Sequence, residues 1–92
     1  MIRLSGRLIC MTDDERAAVA AHLNAHIALT RAEPGCLSFD IGQTDDPLVF
    51  DVHETFRDRA AFDAHQTRTR ASDWFAATRG ILRDFRVEEL PD

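Results

Sequence analysis

Residues 48–56 alternate strictly enough to specify a strand, and the apolar side of that strand carries a carboxylate. Leu48, Phe50, Val52, Glu54 and Phe56 share one face, while Val49, Asp51, His53 and Thr55 share the other. Successive strand side chains point to opposite sides, so Glu54 must go wherever the flanking phenylalanines go. A carboxylate among apolar groups finds a partner or takes up a proton, because burying the bare charge is expensive. A fold for this chain therefore has to bury an acid on the inner side of a sheet and give it something to meet.

The other segments supply that sheet and its cover. Over residues 2–10, Ile2, Leu4, Gly6, Leu8 and Cys10 alternate with Arg3, Ser5, Arg7 and Ile9, which reads as a first strand. Thr12 and Glu15 form a capping box, and Asp13 and Asp14 suit the positive end of a helix dipole. Val19, Leu23 and Ile27 recur along an Ala-rich helix predicted from 13 to about 32. Pro34 disfavours the helical region at Glu33, and Pro34-Gly35 suits a turn. Leu37, Phe39 and Ile41 alternate with Ser38, Asp40 and Gly42 in a second strand. Asp45-Asp46-Pro47 then breaks the chain before the third, so the two strands read as an antiparallel hairpin. Asp58 caps a short helix carrying Phe62, His65 and Gln66. Ser72 caps another containing Trp74, Phe75, Ile81 and Leu82, with Gly80 in it or at its end, and residues 85–90 make a last strand. The order β-α-β-β-α-α-β predicts an α+β, ferredoxin-like (split βαβ) domain with one antiparallel sheet and helices on one face.

A chain of 92 residues has room for one domain, residues 1–92. Its net charge of -5 lacks the basic footprint that nucleic acid requires, and the arginines of the C-terminal half are interleaved with Asp and Glu as a solvated mixed surface. No stretch approaches the ~20 apolar residues of a membrane span, and arginines interrupt the N-terminal segment where a signal peptide would be apolar. The expected compartment is the cytoplasm, with Cys10 and Cys36 reduced and acting as small buried hydrophobes. His22 and His26 stand four apart on the first helix without a third ligand nearby. They are expected as two exposed histidines, with no metal and no cofactor bound by the chain.

Several of these segments also resemble a known family. Arg31-Ala32-Glu33-Pro34-Gly35-Cys36-Leu37 is similar to the R-x-E-P-G-C-L helix exit of the antibiotic biosynthesis monooxygenase (quinol monooxygenase-like) family. Phe50 to Phe56 resembles its F-x-x-Y-E-x-W strand, Ala60 to His65 its histidine-bearing helix, and Trp74-Phe75 its H-F pair. The resemblance runs over about residues 2–90. It implies a homodimeric α/β barrel whose sheets face each other through the side opposite the helices. It also implies a pocket in each subunit between sheet and helices, and for many members cofactor-free oxygenation of phenolic or quinol-type aromatics. This sequence departs from the pattern in having His53 for the usual Tyr, Phe56 for the usual Trp, and no tyrosine at all. Haem-degrading members of the fold carry an Asn on the first strand, where rough alignment places Gly6 here.

Two residues are candidate catalysts. Glu54, by parity, faces the helices. His65 lies three residues after Phe62, on the helix face that borders the implied pocket. Oxygenation without a cofactor needs an electron-rich substrate anion, and an imidazole backed by a carboxylate can take a phenolic proton. Phe50, Phe56, Phe62, Trp74 and Phe75 are the candidate aromatic wall of a substrate site; each can equally be core. The same pair of Glu54 and His65 would serve an isomerase of small oxygenated metabolites, and the pocket would serve a non-catalytic ligand-binding dimer.

Overall fold

Short polar side chains set where each helix begins. Thr12 Oγ1 accepts the Glu15 amide at 3.1 Å, Asp58 Oδ1 the Ala61 amide at 2.8 Å, and Ser72 Oγ the Phe75 amide at 3.2 Å. Glu15 closes its box on the amide of Met11 rather than on that of the cap residue. The computed structural model describes residues 1–91. Its elements are β1 (Ile2–Ile9), α1 (Asp13–Arg31), β2 (Cys36–Gln43), β3 (Val49–Phe56), α2 (Arg59–Arg70), α3 (Asp73–Thr78) and β4 (Leu82–Glu89). The strands form one antiparallel sheet in the order β2-β3-β1-β4, with the helices on a single face, as the element order predicts.

Register places Leu4 opposite Glu54 and Val87, and Glu54 opposite Phe39, so these four side chains share the inner face. The core is built on that face from Ile2, Leu4 and Leu8 of β1 and Phe50, Val52 and Phe56 of β3. Val19, Phe62 and Trp74 close it from the helices. Each such side chain contributes roughly 1.5–3 kcal/mol through removal from water. The outer face is mostly polar. Arg3 meets Glu88 and Arg7 meets Asp51, each at 3.3 Å and largely exposed, so neither adds much stability. At one end of this face Ile9 lies across from both Val49 and Leu82, an apolar row spanning three strands. Among the described residues no helix is long and apolar enough to cross a membrane.

Two glycines admit close backbone approaches. At Gly35 an added Cβ would meet the Ala61 Cβ at 2.2 Å, so the entry to β2 sits directly on the first turn of α2. At Gly6, φ is +151° and a Cβ would fall 2.0 Å from the Asp84 carbonyl oxygen. No side chain fits at the position aligned with the Asn of haem-degrading members.

The C-terminal third differs from expectation. The last helix ends at Thr78, so Ile81 and Leu82 are not helical, and the last strand begins at Leu82 rather than at residue 85. The cause is tertiary. Arg83 takes the carbonyls of Thr78 and Ile81 at 2.8 and 3.0 Å, which closes the helix end. Leu82–Glu89 can then pair with the full length of β1. The buried face of α1 is also rotated from the predicted one. Val19, His26 and Thr30 are its buried residues, while Ile27 is only half-buried. His26 is therefore not an exposed histidine. It is 4% exposed, stacked on Trp74 with ring centroids 4.6 Å apart and planes 2° apart. His22 remains half-buried on the flank.

Candidate active site

Strand parity carries Glu54 inward, and α2 brings His65 over it. Both are buried, at 6% and 2% exposure, with His65 Nε2 standing 3.6 Å from Glu54 Oε1. That separation is too long for a hydrogen bond, and Glu54 Oε1 has no other partner. On the far side of the ring, His65 Nδ1 meets Glu33 Oε1 at 2.6 Å. Glu33 is fixed in turn by Arg68 at 3.4 Å, and Arg68 reaches Thr30 Oγ1 at 2.9 Å. Glu33–His65–Glu54 thus forms a row running from the turn before β2, through the imidazole, to the inner face of the sheet.

The protonation states follow from geometry. Burial, helped by the nearby Glu33 charge, pushes the Glu54 carboxyl up to about 8, so it holds its proton at neutral pH. Burial lowers His65 below its usual value against the opposing pull of its Glu33 hydrogen bond, which favours the neutral ring near pH 7. With the Glu33 carboxylate able only to accept, the bonded Nδ1 carries the hydrogen, and Nε2 presents its lone pair toward Glu54 and Thr69 Oγ1, the latter at 3.4 Å. A carboxylate-backed imidazole whose Nε2 lone pair meets only the long 3.4 Å contact of the Thr69 hydroxyl is the arrangement of a general base.

The row opens on a cavity of about 400 Å³ between sheet and helices. Leu4, Leu8, Ile41 and Val52 floor it, Trp74 and Phe75 wall it, and His26, Glu54, His65, Arg70 and Arg83 are among its polar points. Burial above all, with neighbouring His65, Arg68 and Arg83 adding to it, pushes His26 down to about 3, so its ring stays neutral. Of the five candidate aromatics, only Trp74 and Phe75 line the cavity. Phe50, Phe56 and Phe62 are core: Phe56 packs edge-on against Phe62 at 5.7 Å and underlies His65 at 4.8 Å, so its contribution is to seat the imidazole. His53 points to the outer face and is exposed. Cys10 is buried and Cys36 half-buried, both free thiols pushed up by burial. Among the described residues no three potential metal ligands cluster.

The sequence reading did not single out Glu33 or Arg83 as site residues. Glu33 stands in the helix-exit segment, where Pro34 marks a turn, and Arg83 is one of the C-terminal arginines whose interleaving with Asp and Glu reads as a solvated surface. Thr69 was legible in principle, since it follows His65 by four residues on one helix.

The comparisons with known proteins agree with this architecture. The antibiotic biosynthesis monooxygenase family model matches residues 2–77. The Mycobacterium tuberculosis protein Rv0793, named "Putative monooxygenase", is 42% identical over 53 residues, covering 58% of this chain. That match spans only about half (52%) of the relative's length. The solved structure of Rv0793 superposes with a TM-score of 0.75 at 28% identity, covering 99% of this chain and 95% of that one. A Deinococcus radiodurans structure described as a "putative antibiotic biosynthesis monooxygenase" gives 0.83 at 19% identity, covering 100% and 94% of the two chains, which is a likeness of fold alone. With its α+β architecture and a family match over most of its length, the chain belongs to the antibiotic biosynthesis monooxygenase family.

Proposed function

We propose that this protein is a cofactor-independent monooxygenase that oxidises a small phenolic or quinol-type aromatic with O2. The observation that carries this assignment is the Glu33–His65–Glu54 row, which places an unprotonated imidazole nitrogen at the wall of an apolar cavity of about 400 Å³. The volume lies in the range of small-ligand sites, and the flat faces of Trp74 and Phe75 suit an aromatic ring. His65 Nε2 takes the phenolic proton, and Glu33 stabilises the resulting imidazolium. Glu54, still protonated, donates to the substrate oxygen as negative charge develops there. The phenolate passes electrons to O2. A quinol acts as its own reductant: one oxygen atom enters the ring, the other leaves as water, and the product is a hydroxyquinone.

The working unit in this proposal is a cytoplasmic homodimer joined through the outer sheet faces, where the Ile9–Val49–Leu82 row gives a partner sheet an apolar seat. Oxygen consumption over a panel of hydroquinones and anthrones tests the chemistry. Uptake with at least one substrate is expected, and His65→Ala should lower that rate by ~10²–10⁴. Substrate turnover without oxygen uptake would instead identify an isomerase using the same two side chains.

A further inference from the structure

The cavity contains a cation that no carboxylate among the described residues neutralises. Arg83 lies on the inner face of β4, across from Leu8 of β1, and is half-buried. Its Nη1 donates to the carbonyls of Thr78 at 2.8 Å and Ile81 at 3.0 Å, and its Nη2 to Thr78 Oγ1 at 2.9 Å. A guanidinium has five N–H groups. The two that remain, on Nε and on Nη2, project from the same side of the group and find no acceptor among the described residues. More exposed arginines such as Arg3, Arg7 and Arg59 each meet a carboxylate within 3.3 Å, yet Arg83 meets none among the described residues. Burial accordingly pulls Arg83 down from the usual arginine range. An uncompensated cation in a partly buried site is costly, and a bound anion would offset that cost.

The rest of the wall sharpens the point. Glu54 is protonated and His26 neutral at pH 7, so the fixed charges left on the cavity are the guanidiniums of Arg83 and of Arg70 at the rim. The protein's net charge of -5 thus encloses a cationic pocket. Arg83 stands on β4 beside the end of α3, whereas Glu54 and His65 stand on β3 and α2, so the cation and the base come from different elements of the cavity wall. Phe75, whose ring centre is 6.0 Å from the Arg83 guanidinium carbon, and Trp74 line the same cavity.

We infer that Arg83 is an anion subsite and that the cavity's ligand is an aromatic carboxylate, its carboxylate on the free two-donor edge of Arg83 and its hydroxyl toward His65. The planar fork favours a carboxylate, which accepts two parallel hydrogen bonds. Thr78 and Ile81 hold the guanidinium in place before the ligand arrives, so little ordering remains to be done on binding. The orientation of the ring rests on the function proposed above; the anion subsite itself is tested by binding without turnover.

Trp74 is the single tryptophan of the chain and lines the cavity, so its fluorescence reports occupancy. Titration of the protein with 2,5-dihydroxybenzoate and with the uncharged 2,5-dihydroxybenzamide compares ligands that differ mainly in charge. The acid is expected to bind roughly 10–100-fold more tightly, the scale of a charge-assisted pair. In Arg83→Gln the preference should fall to within about threefold, and Arg83→Lys, which keeps the charge and loses the fork, should lie between. Equal binding of acid and amide, no binding of either, or a preference that survives in Arg83→Gln would overturn the assignment. Should Arg83→Gln fail to fold through loss of the α3 cap, the wild-type comparison decides alone. Oxygen uptake measured on the same samples separates the two claims. Acid preference without uptake, here and across the hydroquinone and anthrone panel, upholds the subsite and refutes the oxygenase, and uptake without acid preference does the reverse.

Discussion

Replacing Glu54 with glutamine should make this protein more stable, by an amount that depends on pH in a calculable way. The Glu54 carboxyl titrates at about 8 in the fold against an ordinary value of 4.5. Between those values the folded state keeps a proton that the unfolded chain releases. Stability is therefore full below the unfolded value, falls as pH rises toward 8, and levels off beyond. The slope is at most about 1.4 kcal/mol per pH unit, so at pH 7 the wild type carries a burden of about 3 kcal/mol. Glutamine has the same shape, no charge to lose, and an amide that can donate toward His65 Nε2. Glu54→Gln should thus match the wild type near pH 4.5, exceed it by about 3 kcal/mol at pH 7, and exceed it somewhat further at pH 8.5. For a domain of this size the pH 7 difference corresponds to a Tm rise on the order of 10–20 °C. Urea unfolding of both proteins from pH 4.5 to 9, at one protein concentration because a dimer's stability varies with it, measures the difference directly. A difference that does not change with pH would mean that Glu54 is not held protonated, and the proton donor of the proposed mechanism would be lost with it.

The rate of the proposed reaction should be bell-shaped in pH. Its acid limb should lie below the usual imidazole value, because burial lowers His65, and its alkaline limb near 8, where Glu54 ionises. The limbs belong to the coupled row rather than to single residues, and the alkaline limb should vanish in Glu54→Gln. Gly35→Ala should cost ~1–3 kcal/mol in thermal unfolding, since its methyl would fall 2.2 Å from the Ala61 Cβ; an unchanged Tm would contradict that packing. Val49→Asp, which puts a charge at one end of the outer apolar row, should weaken the dimer, and sedimentation showing an unaltered dimer would place the interface elsewhere.

Much of the scaffold was readable from local chemistry. Thr12, Asp58 and Ser72 cap helices because each offers an oxygen to an amide three residues on, which depends only on near neighbours. The inward aim of Glu54 followed from parity, a two-residue repeat that no tertiary contact can shift without turning out the whole apolar face. The seating of His65 on the same side followed from its spacing to Phe62. What local pattern could not supply were the partners. Glu33 reaches His65 from 32 residues away, and only the folded turn before β2 brings them to 2.6 Å. His26 is polar, so a search for apolar periodicity passed over it, yet the packing of α3 on α1 buries it under Trp74. The end of α3 and the start of β4 were decided by a guanidinium that prefers carbonyls to solvent and by the length of β1 available for pairing. The sequence alone thus determined which side chains face inward, because that is a matter of period. The tertiary structure decided which of them meet and which remain unpaired around a cavity, because that depends on contacts between segments far apart in the chain.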